Sequence, residues 1–353
     1  MPAIVIEPSR TAWDAFVAGH AAGSALQAWA WGNLKGAFGW QPVRVAIADA
    51  DQPWQIRAAA QILLRRRYGV AAAYAPRGPL LSGDPAIDQA LFAQIDQAAR
   101  AARAIFVRME PNCPSHDPHA GNLHSDLLLR GYHPVDPIQP RSTILLALEA
   151  EPERLLAAMS KGHRADIKRA ARMGVAVRMG QGEQDLASFY QILEQTSRRN
   201  QFGIHTLSYY RAVLAQFGEA AALWLAERDG QAEATAITLG WGSTALYLYS
   251  GSLASGLESG AQHAIQWATI QWARARGCQQ YDFWGIPDAF GQAAEEADPS
   301  ARAQQEELAK TDPLFGVYRF KKGFGGQVVR FLPGYDRVLI RPLYALWRRS
   351  LGA

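Results

Sequence analysis

One succession of elements is written twice along this chain, and that repeat constrains the fold more than any single motif does. In the first pass, "TAWDAFVAG" and "AWAWGNLKGAFGW" carry the spacing of short amphipathic helices. "PVRVAIAD", "IRAAAQILLRR" and "VAAAYAP" then read as strands, with a turn between Asp49 and Pro53. "DPAIDQALFAQIDQAARAA" reads as a helix capped by Asp84 with Pro85 in its first position, and "AIFVRMEP" as a further strand. In the second pass, "DLASFYQILEQTSRRN" and "TLSYYRAVLAQF" are helices. "ALWLAERDGQAEATAITLGWGSTALYLYSG" supplies three strands, the first two joined at the Asp229-Gly230 hairpin signal. "GAQHAIQWATIQWARARG" is a periodic helix stopping at Gly277, and "CQQYDFWG" closes the unit as a strand. Two helices, a three-stranded meander, a helix and a strand, made twice, predict two α/β (α+β) domains in tandem, each with the order of an N-acetyltransferase-type (GNAT-like) fold.

The bulk numbers agree with two cores. A chain of 353 residues fits about two domains, and an apolar fraction of 49% rules out a disordered chain. Charge is mild overall but uneven. From Pro313 to Ala353 there are eight basic residues against Asp336 alone, and from Ser160 to Arg178 six against Asp166 alone. Two such patches predict polyanionic partners: phosphate, RNA or an anionic membrane surface. Cys113 and Cys278 imply no disulfide framework. The N-terminus has an acid and a proline where a signal peptide needs an unbroken apolar region, and no apolar run reaches membrane-spanning length, so a cytoplasmic location is expected. "LALEAEPERLLAAMSKGHRADIKRAARMGV" links the two copies. Residues 287–312, polar and alanine-rich, are expected to be a surface excursion. No segment has the length of a coiled-coil arm.

The common catalytic signatures are missing: no Walker loop, GxSxG, HExxH or CxxC is present. "CPSHDPHAGNLH" offers Cys113, His116, His119 and His124 as ligand types for zinc. Its Pro, Asp, Gly and Asn content marks a solvated loop instead, and no metal is expected. After Ser160, the residues Lys161, Arg164, Lys168 and Arg172 fall three and four apart and share one helix face, with Ser160 to cap the start and Gly174 to end it. Such a stripe can track an RNA backbone, as it can also be an ordinary solvated face. "LYLYSGSLASGLESGAQHAIQ" is a strand, a loop and a helix start, the place where this fold holds the pyrophosphate of coenzyme A, but with only a faint glycine pattern. Tyr247 and Tyr249 alternate with leucines and are expected on one face of their strand, in the core or lining a substrate cleft.

"MSKGHRADIKRAARMGV", "YDFWGIPD" and "GVYRFKKGFGGQVVRFLPGYDRVLIRPLY" together resemble the Fem-type (FemABX) peptidyltransferases, as does "LQAWAWGNLKGAFGW" more loosely. The resemblance implies two GNAT-like domains, at 1–146 plus 333–353 and at 147–332, the compact type without a helical arm, and a coenzyme A loop out of use, so no cofactor. It implies transfer of an amino acid from aminoacyl-tRNA to the stem peptide of a peptidoglycan precursor, either UDP-MurNAc-pentapeptide or lipid II. Lys35 matches a lysine that holds the precursor diphosphate. The partner arginine is replaced by His205, four residues before Tyr209, with Arg199 nearby as a substitute. Glu110 matches an acid facing the acceptor cleft and is a candidate base. Tyr249 matches a tyrosine that orients the acceptor, and Phe320 and Lys321 match the pair beside the aminoacyl ester.

These matches give the "FKKGFGG" segment a purpose. Aromatic rings stack on unpaired bases while cations meet phosphates, so Phe320 and Phe324 supply surface, and Arg319 and Lys322 hold phosphate. A lysine at the attacked carbonyl stabilises the oxyanion, the role expected of Lys321. The glycines are expected to let the backbone approach the nucleotide. No Ser or Cys nucleophile is indicated, so direct aminolysis is expected. In "RPLYALWRRS", Leu343, Leu346 and Trp347 beside Arg341, Arg348 and Arg349 either rest on an anionic bilayer at the inner leaflet or dock on the first domain. Two other readings stay open: a GNAT-fold N-acyltransferase with an acyl-CoA or acyl-carrier donor, and a non-catalytic RNA- or precursor-binding protein.

Overall fold

The computed structural model describes residues 3–149 and 151–350. The chain divides into two compact units, Met1–Arg141 with Arg330–Ala353, and Ser142–Val329.

The first unit opens with β1 (Ala3–Ile6), α1 (Arg10–Gly19) and α2 (Trp29–Gly36). The meander β2 (Gln41–Asp49), β3 (Ile56–Arg67) and β4 (Val70–Pro76) follows, then α3 (Pro85–Ala101) and β5 (Ala104–Glu110). The helix α4 (Ala120–Leu129) and the short β6 (His133–Val135) complete its first stretch. The second unit begins with β7 (Ser142–Ala147), α5 (Pro152–Ala158), α6 (Lys161–Arg172) and β8 (Ala176–Met179). Then come α7 (Gly182–Asn200), α8 (Leu207–Phe217), β9 (Ala221–Arg228), β10 (Gln231–Trp241) and β11 (Thr244–Ser252). After α9 (Ala254–Ser259), α10 (Ala261–Ala275) and β12 (Gln280–Asp282), three helices follow: α11 (Asp288–Glu295), α12 (Pro299–Ala309) and α13 (Phe315–Lys322). The strand β13 (Gln327–Arg330) closes this stretch, and the chain returns to the first unit as β14 (Gly334–Val338) and α14 (Arg341–Ser350).

In the first unit the sheet order is β1-β2-β3-β4-β5-β14-β6. β4 and β5 are parallel, as they must be with α3 crossing between them. Asp84 accepts from the amides of Ala86 and Ile87, capping α3 as its sequence demands. The face of α3 carrying Ile87, Leu91 and Ile95 buries against Ile47, Ile62 and Val107. On the α2 side, a buried glutamine pair locks the helix down: Gln27 Oε1 accepts from the amide of Gln61 (2.7 Å), and Gln61 donates to the carbonyl of Ala28 (3.0 Å). A Cβ on Gly32 would lie 2.1 Å from Gln61 Oε1, so α2 can sit here only with glycine at that position.

β14 lies between β5 and β6 and is held by Arg108, whose guanidinium donates twice to the buried carboxylate of Asp336 (2.7 Å each). The Tyr344 hydroxyl donates to the same carboxylate (2.7 Å). The face of α14 that docks is aromatic, with the Tyr344 and Trp347 rings 5.5 and 4.4 Å from Phe106. Leu346, expected to dock if the helix packs on the first unit, stays 59% exposed.

The second sheet runs β13-β7-β12-β11-β10-β9-β8. Asp229 and Gly230 both take positive φ (52° and 75°), the two-residue turn that joins β9 to β10. α10 packs on β9, β10 and β11 through Ile265 and Ile270. β10 and β11 contain a bulge: Ile237 pairs with Tyr249 but Thr238 pairs with Tyr247, leaving Leu248 as the extra residue. The expectation that both tyrosines share a face is therefore corrected. Ile237 and Thr238 point opposite ways, so Tyr247 joins the core beside Tyr281 while Tyr249 turns toward α8.

Residues 287–312, expected to be a surface excursion, form α11 and the largely exposed α12, with Asp298 capping α12 and Pro299 at its first position. Alanine content favours helix, and Phe290 anchors the pair by stacking on Tyr318 at 3.6 Å.

Candidate functional site

The "YRFKKGFGG" segment is a helix end turning into a strand. α13 carries Arg319, Lys321 and Lys322 in its last turn, where cations meet the negative end of the helix dipole. Beyond it the backbone lies hard against its neighbours. A Cβ on Gly323 would fall 1.9 Å from the His163 ring, and one on Gly326 would fall 2.5 Å from Ile144. These glycines serve contact with α6 and β7, not the nucleotide approach expected of them.

Lys321 is 9% exposed. Its ammonium donates to the carbonyls of Trp284 (3.1 Å) and Gly285 (2.7 Å). Both are turned inward by a bend after β12, where Trp284 takes φ +62° and its amide donates to Asp282 (2.7 Å). Thr143 also donates to the Asp282 carboxylate. Burial pulls the Lys321 pKa down to about 8, against the opposing charge of Asp282. Of three ammonium N–H groups, two have partners and one is left.

His163, on α6, fastens the same turn. Its Nε2 donates to the carbonyl of Phe320 (2.7 Å), and its Nδ1 lies 2.9 Å from Ser160 Oγ. Ser160 in turn accepts from the His163 amide (3.2 Å), the cap expected from sequence, and its own amide donates to the carbonyl of Gly323 (2.8 Å). The His263 ring packs edge-on to His163 and to Phe320 (4.7 and 5.1 Å). Burial lowers both imidazole pKa values, so both rings are neutral at pH 7. Ser160→Ala removes a helix cap and the anchor of His163; it should cost about 1 kcal/mol in urea unfolding, with a larger loss in turnover than in stability.

Phe320 is partly exposed, but Phe324 is fully buried, stacked on Phe283 at 5.6 Å. A base cannot reach it, and its expected role as a tRNA-stacking surface is corrected to core packing. Lys322 is exposed, with its ammonium on the carbonyl of Gly326 (2.8 Å), and the exposed Arg319 lies over Phe315. Along α6, Lys161, Lys168 and Arg172 are exposed as the spacing suggested. Arg164 is different: it folds back onto the carbonyls of Ala157 (2.8 Å) and Met159 (2.6 Å), satisfying the end of α5.

A second cluster in this unit joins three of the expected acceptor residues. His205 stacks on Tyr209 at 3.9 Å, and Tyr249 meets both edge-on at 6.3 and 6.4 Å. Tyr249 and Tyr209 share a hydrogen bond; burial raises the Tyr209 pKa to about 12 and pushes that of Tyr249 well above the usual phenol value. Both hydroxyls remain protonated at neutral pH. Arg199 is exposed at the end of α7, with its guanidinium beside Asn200. Tyr247 is in the core, as described above, and cannot line this cluster.

The first unit holds Lys35 and Glu110. Lys35 sits in the last turn of α2 with its ammonium 4.8 Å from the centre of the Trp31 ring. Burial lowers its pKa to about 8. Glu110, at the end of β5, is 3% exposed and accepts from the Tyr74 hydroxyl (2.7 Å) and the amides of Ile138 and Gln139. Three donors fill most of its roughly four acceptor positions. In the "CPSHDPHAGNLH" stretch, His124 bonds the Tyr335 hydroxyl (2.8 Å), and among the described residues no group of three His, Cys, Asp or Glu could hold a metal ion. No helix among them is long and apolar enough to cross a membrane. Sequence reasoning missed His163, Asp282 and Trp284, though all three lie within the quoted motifs.

The FemAB family model matches residues 9–126, 129–238 and 228–349. The UDP-N-acetylmuramoylpentapeptide-lysine N(6)-alanyltransferase of Weissella viridescens is 28% identical over 277 residues, covering 75% of this chain and 80% of that protein. The lipid II:glycine glycyltransferase of Staphylococcus aureus (strain USA300) is 22% identical over 413 residues, covering 94% and 92%. Among solved structures, FemX superposes with a TM-score of 0.84 at 20% identity, over 97% of this chain and 99% of that one. A tandem GNAT protein from the clavulanic acid biosynthesis pathway superposes at 0.55 and 13% identity, over 95% and 98%. The two units are thus GNAT-like and in tandem, and the chain belongs to the FemAB family.

Proposed function

We propose that this protein transfers an amino acid from aminoacyl-tRNA to an amine on the stem peptide of a peptidoglycan precursor, nucleotide-linked or lipid-linked, on the cytoplasmic side of the membrane. The observation that carries the reading is Lys321: a buried ammonium held by two carbonyls with one N–H left to donate. The acceptor amine attacks the ester carbonyl, a C–N bond forms, and the C–O bond to the terminal ribose breaks. The amine proton passes to the departing ribose oxygen. Lys321 donates to the carbonyl oxygen as charge builds on it.

The partly exposed Phe320 lies against the terminal adenosine, and Arg319, Lys322, Lys161, Lys168 and Arg172 meet phosphates of the tRNA. In the second unit Tyr249 and Tyr209, with His205, orient the acceptor and Arg199 offers it positive charge; in the first unit Lys35 is a cation suited to a diphosphate. Glu110 is assigned to holding residues 138–139 rather than to proton abstraction, since its oxygens already accept three hydrogen bonds.

An acyl-CoA donor is disfavoured by what stands before α10. There α9 fills the loop, and the buried Glu233 carboxylate, paired with Arg228 (2.6 Å), accepts from Ser259 (2.6 Å), so side chains occupy the groups before the helix start. The test is reconstitution. Purified protein, charged total tRNA and either UDP-MurNAc-pentapeptide or its lipid-linked form should yield a precursor heavier by one amino-acid residue in mass spectrometry. Prior RNase treatment should abolish the product. A product that survives RNase, or one made with acyl-CoA alone, would overturn the reading.

A further inference from the structure

We propose that the first unit carries a second anion site, a phosphate-binding pocket at the corner between β6, β14 and α14. A cavity of about 420 Å³ opens there, walled by Arg130, His133, Arg337, Arg341 and the ring of Tyr344. Three arginines and a histidine line it, and none of its lining residues is acidic.

Two of the arginines are set in place from outside the cavity. Arg130 donates through Nε to Asp126 (2.7 Å) and lies over the Phe92 ring at 4.2 Å. Arg337 pairs with Asp96. Each carboxylate occupies only part of a guanidinium that has five N–H groups, so donors remain for a ligand while the side chain is already ordered. Arg341 is the first residue of α14 and exposed, and His133 is exposed on β6. With Asp126 and Asp96 balancing two charges, Arg341 supplies the net positive charge and His133 a further ring nitrogen for hydrogen bonding. Fixed, planar donors around a cavity of this size suit the tetrahedral oxygens of a phosphate.

This pocket is separate from the residues assigned above. Val338, beside the pocket, pairs with Phe106, whereas Glu110 lies four residues further along β5, about 13 Å away at strand spacing. Lys35 is carried by α2, which packs on β2 and β3 at the other side of the sheet. The phosphate could belong to a soluble ester or to a lipid headgroup. The outer face of α14, with Arg348 and Arg349 beside the exposed Leu346, makes both sources physically compatible.

The experiment uses the full chain, wild type and the Arg341→Ala and His133→Ala variants, both at exposed positions. Inorganic phosphate is titrated at constant ionic strength, followed by thermal shift and calorimetry. Flotation is measured with vesicles of phosphatidylglycerol and phosphatidylcholine against phosphatidylcholine alone. Loss of one charge-assisted contact should weaken the affected binding by about tenfold, with turnover on the nucleotide-linked precursor unchanged. Saturable phosphate binding without flotation identifies a soluble ester, and flotation that needs phosphatidylglycerol and Arg341 identifies a headgroup. If neither arm shows binding, or if Arg341→Ala binds as well as wild type, the pocket is not a phosphate site. Neither result depends on whether transfer to a precursor is observed.

Discussion

Replacing Lys321 with methionine is expected to lower turnover by about 10²- to 10³-fold, the usual loss on removing one oxyanion donor. Methionine keeps the length of the stem and so the packing around it, while the Trp284 and Gly285 carbonyls lose only the ammonium as a donor. The fold should therefore survive and acceptor binding persist. A variant that folds and keeps near wild-type kcat would end the oxyanion assignment.

The pH dependence gives an independent reading, with opposite signs for rate and stability. The ammonium must be charged to donate, so kcat should fall as pH rises through about 8. Burial has lowered the folded pKa from 10.5 to about 8. Between those values the unfolded chain keeps a proton that the folded chain has released, so this group makes stability rise with pH across that window. Lys35, also held at about 8, adds the same slope. Lys321→Met should remove one of the two contributions, visible in urea midpoints measured at pH 8 and pH 10.

Phe320 and Phe324 should separate cleanly when each is changed to alanine. Phe324 is fully buried among Phe283, His163 and Phe320, and its loss should cost about 3–5 kcal/mol in urea unfolding. Phe320 is partly exposed, so its truncation should cost much less stability while raising the KM for aminoacyl-tRNA. Equal destabilisation by both, with unchanged KM in Phe320→Ala, would remove the stacking role. The comparison matters because the two rings are indistinguishable in "RFKKGFGG" and only burial parts them.

That pair shows where the sequence stops being legible. Local chemistry was readable: Asp84 and Ser160 cap helices, Asp229-Gly230 makes a hairpin, and Gly277 with φ +79° follows α10. Each signal depends on residues within a turn of one another. Tyr247 and Tyr249 defeated the same method, because a bulge inserts Leu248 and reverses the alternation that strand periodicity assumes. Polarity placed the segment 287–312 at the surface, and its alanines and the Asp298-Pro299 start specify the helix it forms there. The purpose of Gly323 and Gly326 depended on His163 and Ile144, more than 150 residues earlier in the chain, and no local pattern contains that proximity. For the same reason Arg164 counted as part of a basic stripe until the carbonyls ending α5 were seen to hold it.

The place of β14 between β5 and β6 governs what can happen on the ribosome. The second unit is one continuous stretch and can mature as soon as it leaves the exit tunnel. The first unit, although translated earlier, must keep a vacant slot with open hydrogen-bonding edges until residues 334–338 emerge, after the whole of the second unit. The half made first is therefore the half finished last, and nascent chains stalled before that strand should be the ones that chaperones retain.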